Sequence, residues 1–341
     1  MTIFRSKAPL RIGLAGGGTD VAPYCDLYGG AILNATISMY AYASIEPRED
    51  QIIRLVSADR HEQVTLSVNE SLEINGQLDL HKGVYNRLVK QFGFKTQGFT
   101  LTTFVDAPAG SGLGTSSTLM VAILGAFTEM LSLPLGEYDI AKLAYEIERI
   151  DLNMAGGKQD QYAATFGGVN FMEFYDNDKV IVNPLRIRQR YLDELSHNLL
   201  LYYTETSRLS STIIEAQAHN VRQKSEKPIE AMHKLKEQSI MMKEALLKGE
   251  LDKIGDILDF GWNFKKQMAS GITNPFIDQI YEGAKSAGAT GGKISGAGGG
   301  GFMTFYCPGN TRFAVSEKLK SFGGATRRYE FTTTGLSTWS L

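Results

Sequence analysis

Apolar positions in the first third of the chain fall in short runs of alternating or β-branched character, each cut by Gly, Asn, Asp or Pro. Strands are predicted over 31–37, 40–46, 52–57 and 100–105. Apolar spacing of three and four residues over 81–92 predicts an amphipathic helix. Residues 119–131 are apolar for long enough to form a buried helix, and 138–150 again have helical spacing. A glycine turn then precedes 159–165, and strands are predicted over 169–174 and 198–203. From 209 to 266 the pattern becomes helical, with charged faces and few turn breakers, which reads as a surface bundle. Residues 293–307 read as strand, glycine turn, strand; a helix near 311–321 and a strand near 325–331 follow. No repeat of fixed period occurs. The change of character places a division near residue 190, giving an N-terminal half 1–190 and a C-terminal half 191–341.

Composition narrows the function classes. A chain of 341 residues is long for one domain and comfortable for two. Its net charge of −2 gives no global basic field, so neither nucleic acid nor an anionic membrane is an expected partner. No window approaches the apolar length of a membrane span. Cys25 and Cys307 form no metal-binding pattern and imply no disulfide framework. A soluble cytoplasmic protein is the expectation, and any anionic substrate must be held by local groups.

The most informative stretch is Pro108-Ala-Gly110-Ser111-Gly112-Leu113-Gly114-Thr115-Ser116-Ser117, between a predicted strand and a predicted helix. Such glycines let backbone N–H groups face an anion, and the helix N-terminus adds its dipole at the same place. The hydroxyls of Thr115, Ser116 and Ser117 can bind phosphate or Mg2+. Taken alone, the stretch is equally a tight turn with a helix cap. No GxxxxGK[ST] sequence is present, and the formal GxGxxG beginning at Gly296 runs into a strand rather than a helix, which disfavours a dinucleotide fold. Glu148 on the predicted helix and Asp160 after Gly156-Gly157 supply two carboxylates, one for a metal and one for the attacking hydroxyl of a phosphoryl transfer. Arg11 interrupts an apolar strand-like run, and Gly17, Gly18, Thr19 and Asp20 form a polar glycine turn. An isolated charge at any of these positions would ordinarily be a solvated surface group.

Together these segments resemble the GHMP kinases, whose three ordered motifs match Lys7–Asp20, Pro108–Ser117 and Lys293–Phe302. The resemblance spans nearly the whole chain. The segments DLHKGVYN (79–86) and GGKQDQYAA (156–164) are similar to a narrower subgroup of bacterial D-glycero-D-manno-heptose 7-phosphate kinases and, more distantly, L-fucose kinases. The resemblance implies an α+β, two-domain fold, with an N-terminal domain like ribosomal protein S5 domain 2 and a ferredoxin-like C-terminal domain. It implies ATP and Mg2+ as cofactors, and a homodimer is compatible with it. Asp160 then orients or deprotonates the acceptor hydroxyl, and Arg11 beside it offsets transition-state charge. Pro108 to Ser117 hold the nucleotide phosphates, and Thr115, Ser116 and Glu148 hold the metal. Gly17, Gly18, Thr19, Asp20, Gly296, Ala297 and Gly298 shape the acceptor site. Galactokinases carry Gly-Glu-His-Thr-Asp where this chain has Gly-Gly-Gly-Thr19-Asp20, which disfavours galactose.

The implied reaction is phosphorylation of the anomeric O1 of D-glycero-D-manno-heptose 7-phosphate to the 1,7-bisphosphate, on the way to nucleotide-activated heptose. A phosphorylated acceptor needs a second anion site, for which His81, Lys82 and Arg208 are the candidates. The alternatives are an L-fucose kinase or another sugar 1-kinase, which needs no such site, and a non-catalytic ATP- and sugar-binding regulator, which needs no base.

Overall fold

A computed structural model describes residues 2–95, 97–206 and 210–341. The N-terminal part runs β1 (Phe4–Ala15), α1 (Tyr24–Tyr28), β2 (Gly30–Pro47), β3 (Ile52–Ser57), β4 (Glu62–Ser67), α2 (Asp79–Phe92), β5 (Phe99–Val105), α3 (Thr115–Leu131) and α4 (Glu137–Glu146). A π-helical turn over Ile147–Asp151 leads to α5 (Gln159–Phe166), β6 (Val169–Phe174), β7 (Val180–Pro184) and α6 (Gln189–Asn198). The C-terminal part runs β8 (Leu199–Tyr203), α7 (Ser210–Arg222), α8 (Glu226–Lys248), α9 (Ile254–Lys265), α10 (Pro275–Ser286), β9 (Gly291–Ile294), β10 (Phe302–Tyr306), α11 (Thr311–Lys320), β11 (Ala325–Arg327) and β12 (Ser337–Ser340).

The two predicted strands over 31–37 and 40–46 are one strand, β2, of 18 residues. Its residues 33–45 pair with β1 on one side. On the other side its first part (Gly30–Ala35) pairs with β6 and its last part (Ala41–Pro47) with β5. The polar interruption at Ser38 marks this change of partner. Opposite it, β1 is irregular between Pro9 and Arg11, and such a bulge re-aims side chains next to sites. The buried helix α3 packs on β1 and β2, as its unbroken apolar run requires.

The four strands β8 to β11 form a second sheet, in the order β11-β8-β10-β9 and antiparallel throughout. With helices between the first and second and between the third and fourth strands, this is the ferredoxin-like arrangement. The chain does not end there. Phe331 bridges Ile37, and β12 pairs with β1 at the edge of the first sheet. The last residues of the 191–341 half therefore belong structurally to the N-terminal sheet. They are short and exposed, so periodicity carries no sign of this return.

The two sheets meet through their glycine loops. Phe302 N–H donates to the Ser111 carbonyl at 2.8 Å, and Gly301 lies against the same turn. A Cβ on Gly112 would stand 2.5 Å from the Ser295 carbonyl oxygen, and one on Gly296 would stand 2.8 Å from the Gly112 Cα. The second and third motifs thus need glycine because their backbones touch each other.

Candidate active site

A cavity of about 500 Å³ opens where these loops meet. It is lined by Arg11, Gly18 and Asp20 from the first motif, by Gly110, Gly112, Gly114, Thr115, Ser116 and Ser117 on its glycine and hydroxyl side, and by Glu148, Asp160, Gly296 and Ala297. Gly112 and Gly114 have φ of 82° and 80°, a region that L side chains rarely adopt. The N–H groups of Gly112, Leu113 and Gly114 donate to no acceptor among the described residues, and no side chain caps α3. Free donors at a positive helix end form an anion cradle, which fits the phosphates of a nucleotide.

Glu148 is 1% exposed and sits in the π-helical turn. Ser116 Oγ donates to its Oε1 at 2.6 Å, Ser117 Oγ to its Oε2 at 2.7 Å, and Gln161 Nε2 to Oε2 at 2.7 Å. The wider turn lets two consecutive residues, Glu148 and Arg149, both line the cavity. Among the described residues no group of three or more His, Cys, Asp or Glu gathers around a metal position. One buried carboxylate with flanking hydroxyls suits Mg2+, which keeps waters and takes other ligands from substrate phosphates.

In the same cavity Arg11 and Asp160 form a tight pair. Arg11 Nε donates to Asp160 Oδ1 at 2.7 Å, and Nη2 stands 2.6 Å from the same oxygen. Arg11 Nη1 donates to the Gly112 carbonyl at 2.5 Å, so one guanidinium ties the carboxylate to the phosphate loop. Asp160 also lies against the start of α3, since a Cβ on Gly114 would stand 3.1 Å from its Cγ. Asp20 is buried and accepts the Gln159 N–H at 3.0 Å. Burial pushes its carboxyl above the usual value, only partly offset by that N–H. A side chain at Gly157 would occupy the place of the Asp20 carboxylate, which accounts for Gly156-Gly157 ahead of Asp160.

The model of the GHMP kinases N terminal domain matches residues 79–168, and that of the GHMP kinases C terminal matches 242–325. A D-glycero-alpha-D-manno-heptose 7-phosphate kinase from Campylobacter jejuni is 46% identical over 341 residues, all of both chains. The chain belongs to the GHMP kinases. It has their two-domain α+β fold and is a phosphotransferase. The crystal structure of a D-glycero-D-manno-heptose 1-phosphate kinase from Bacteroides thetaiotaomicron is 45% identical, covers 98% of each chain and superposes with a TM-score of 0.85. A bifunctional fucokinase/GDP-fucose pyrophosphorylase from Arabidopsis thaliana is 26% identical over 87% of this chain and 29% of its own.

Not every expected GHMP kinase site residue reaches the cavity. Pro108 stands outside it, while Ser111 and Leu113 are buried beneath the loop. Thr19 Oγ1 donates to the Gly16 and Ala31 carbonyls at 2.8 and 3.0 Å, so it fastens its own turn. Gly17 lies behind the wall against Lys265, and Gly298 packs on Ile272. His81 is buried in α2 with Nε2 2.9 Å from Thr103 Oγ1, and burial pushes its pKa down to about 4. Lys82 is 1% exposed, donates to Asn75 Oδ1 at 2.6 Å and stands 3.8 Å from Asp79. Neither lines the cavity, so the reading of His81 and Lys82 as acceptor groups is corrected: both are satisfied inside the N-terminal domain. Arg208 lies outside the described residues.

Sequence reading also missed residues that do line the cavity. Arg149 stands 3.3 Å from Glu148 Oε1 and 3.3 Å from Ser117 Oγ, and its Nε donates to the Gly157 carbonyl at 3.4 Å. A Cβ on Gly156 would overlap its guanidinium. Arg149 therefore joins the Glu148 carboxylate to the loop that holds Asp20. Lys265, at the end of α9, and Gln217, on α7, complete the wall beside Gly18. A glycine pair just after a helical Arg was the one available signal for Arg149; Lys265 and Gln217 had none.

Proposed function

We propose that this kinase transfers the γ-phosphate of ATP to the anomeric hydroxyl, O1, of D-glycero-D-manno-heptose 7-phosphate. The observation that carries the reading is the Arg11–Asp160 pair, 2.6 Å apart, set beside a nest of free backbone N–H groups in one cavity. Asp160 accepts the proton of the acceptor hydroxyl as the O1–P bond forms and the bond from the γ-phosphorus to the bridging oxygen of ADP breaks. Arg11 fixes the carboxylate and offsets charge on the transferring group. The N–H groups of Gly112 to Gly114 hold phosphate oxygens in place, which is the positioning that this reaction needs most. Ser116, Ser117 and Glu148 would hold Mg2+, which neutralises charge on the β- and γ-phosphates when bound. The Arg11–Asp160 pair, with its base held ready, has no use in a non-catalytic regulator.

The choice of acceptor rests on the full-length similarity to the Campylobacter jejuni protein. The names of the two relatives differ in which oxygen already carries phosphate. The same bisphosphate results from either substrate, so the starting material must decide. The enzyme is offered heptose 7-phosphate, heptose 1-phosphate and L-fucose separately, with ATP and Mg2+, and products are followed by phosphorus NMR. Turnover of the 7-phosphate alone is expected, with the new phosphorus coupled to H1. Turnover of the 1-phosphate alone would reverse the assignment, and turnover of L-fucose alone would replace the acceptor.

A further inference from the structure

His81 and Lys82, two of the groups that the sequence offers for the acceptor's own phosphate, do not line the cavity, but another buried cation does. Lys265 is 3% exposed, lines the cavity, and forms no ion pair within 4.0 Å among the described residues. Its one hydrogen bond among them is a long one, Nζ to the Gly17 carbonyl at 3.3 Å. An ammonium has three donors, and a buried cation left with one weak acceptor is costly. Lys293 adds to that cost from behind. Its Nζ and that of Lys265 would stand 3.8 and 3.7 Å from a Cβ on Gly17, so two lysine amines flank the same turn. Lys293 is spoken for by the Gly13 carbonyl at 2.9 Å and is not part of the cavity wall. Asp20, the nearby carboxylate, accepts the Gln159 N–H instead of reaching Lys265.

A second and independent observation lies on another helix. Gln217 of α7 is 2% exposed and lines the same cavity, and its Nε2 is a buried donor with no partner among the described residues. Its Oε1 would be 3.5 Å from a Cβ on Gly18, next to the turn that Lys265 contacts. Two buried polar side chains, one of them charged, thus flank Gly17–Gly18 from α9 and α7, one donor bonded only at 3.3 Å and the other without an acceptor among the described residues. Water satisfies such groups cheaply at a surface but not inside a closed wall.

We infer that Lys265 and Gln217 form the subsite for the phosphate monoester of the acceptor and set the preference for a phosphorylated sugar over a free one. The inference rests on the phosphorylated-acceptor reading above and assigns it to atoms. On this reading α7 and α9 bring the specificity groups to a site whose chemistry the other motifs supply.

The test compares kcat/KM for D-glycero-D-manno-heptose 7-phosphate with kcat/KM for the unphosphorylated heptose, in wild type and in Lys265→Met, Lys265→Arg and Gln217→Leu. The wild-type ratio is expected to favour the phosphate strongly. Lys265→Met should cut that ratio about 10- to 100-fold, mainly through KM for the phosphorylated sugar, with Lys265→Arg recovering part of the loss. Gln217→Leu should cut it about tenfold or less, in the same direction. A wild-type preference that survives in both Lys265→Met and Gln217→Leu overturns the subsite and leaves the acceptor reading standing. A wild type without preference removes the acceptor reading and the subsite together. Should Lys265→Met fail to fold, Gln217→Leu decides alone.

Discussion

The Arg11–Asp160 pair predicts a sharp difference between two cations at one position. Arg11 delivers Nε and Nη2 to a single carboxylate oxygen at 2.7 and 2.6 Å, while Nη1 holds the Gly112 carbonyl. A lysine keeps the charge but presents one flexible ammonium, which cannot serve the carboxylate twice and the loop at once. Hydrogen bonds to a charged group contribute about 1.5–3 kcal/mol each. Arg11→Lys loses about one of them, so kcat should fall about 10- to 100-fold at ~1.4 kcal/mol per decade. Arg11→Met loses both and should fall about 100- to 10,000-fold on the same scale. The ATP KM should rise a few-fold in both, because the Gly112 carbonyl is released. The assay is steady-state turnover coupled to ADP release, in the single variants and in the cycle with Asp160→Ala. If Arg11 acts through Asp160, Arg11→Lys in the Asp160→Ala background should cost less than about threefold. Arg11→Lys with kcat within about twofold of wild type, or fully additive losses in the cycle, would refute the argument.

Other parts of the site give further expectations. Glu148→Gln replaces an acceptor oxygen among donors from Ser116, Ser117 and Gln161, so the Mg2+ concentration for half-maximal rate should rise about tenfold or more at constant ATP; an unchanged Mg2+ titration would remove Glu148 from the metal site. Lys82→Met should leave the acceptor KM within about twofold of wild type, since Lys82 is satisfied by Asn75 away from the cavity; a large rise in KM would restore it as an acceptor group. Burial pushes the thiols of Cys25 and Cys307 up to about 12, so neither should react with a thiol reagent at pH 8 until urea unfolds the chain.

Much of the site could be read from the sequence because its chemistry is written in short local patterns. A glycine run ahead of a helix is equally a tight turn when taken alone, and the order of the three motifs along the chain turns it toward phosphate binding. The acceptor side is different. Lys82 beside His81 in DLHKGVYN has the look of an anion site, yet α2 turns both inward, where Asn75 and Thr103 complete their bonds. Lys265 sits in the run Asn263-Phe-Lys265-Lys266, indistinguishable in sequence from a solvated helix end. What separates Lys265 from Lys266 is where α9 meets the first motif's turn, a contact between residues 248 positions apart. The return of β12 to β1 is hidden for the same reason, because a short exposed strand has a partner only in three dimensions. Local chemistry is legible when neighbours in sequence perform it, and illegible when the fold must bring the groups together.

That distinction carries a last prediction about Lys265. Burial, together with Arg11 and against the pull of Asp20, lowers its pKa from 10.5 to about 8. Lys293 stands on the same turn and disfavours a second charge there. A cation whose folded pKa is depressed costs stability fully below that pKa, and the cost fades as pH rises through it toward the unfolded value. Over this shift the cost is about 3 kcal/mol, at ~1.4 kcal/mol per unit. Lys265→Met should therefore raise the urea midpoint at pH 7, and the gain should shrink between pH 8 and 10.5. The same residue should make kcat/KM for the phosphorylated acceptor fall above about pH 8, as the ammonium loses its proton. A variant that gains stability while losing selectivity for a phosphorylated sugar marks a charge kept for binding rather than for folding. If the midpoint at pH 7 dropped instead, Lys265 would be a structural tie to the Gly17 turn, and its burial would say nothing about substrate.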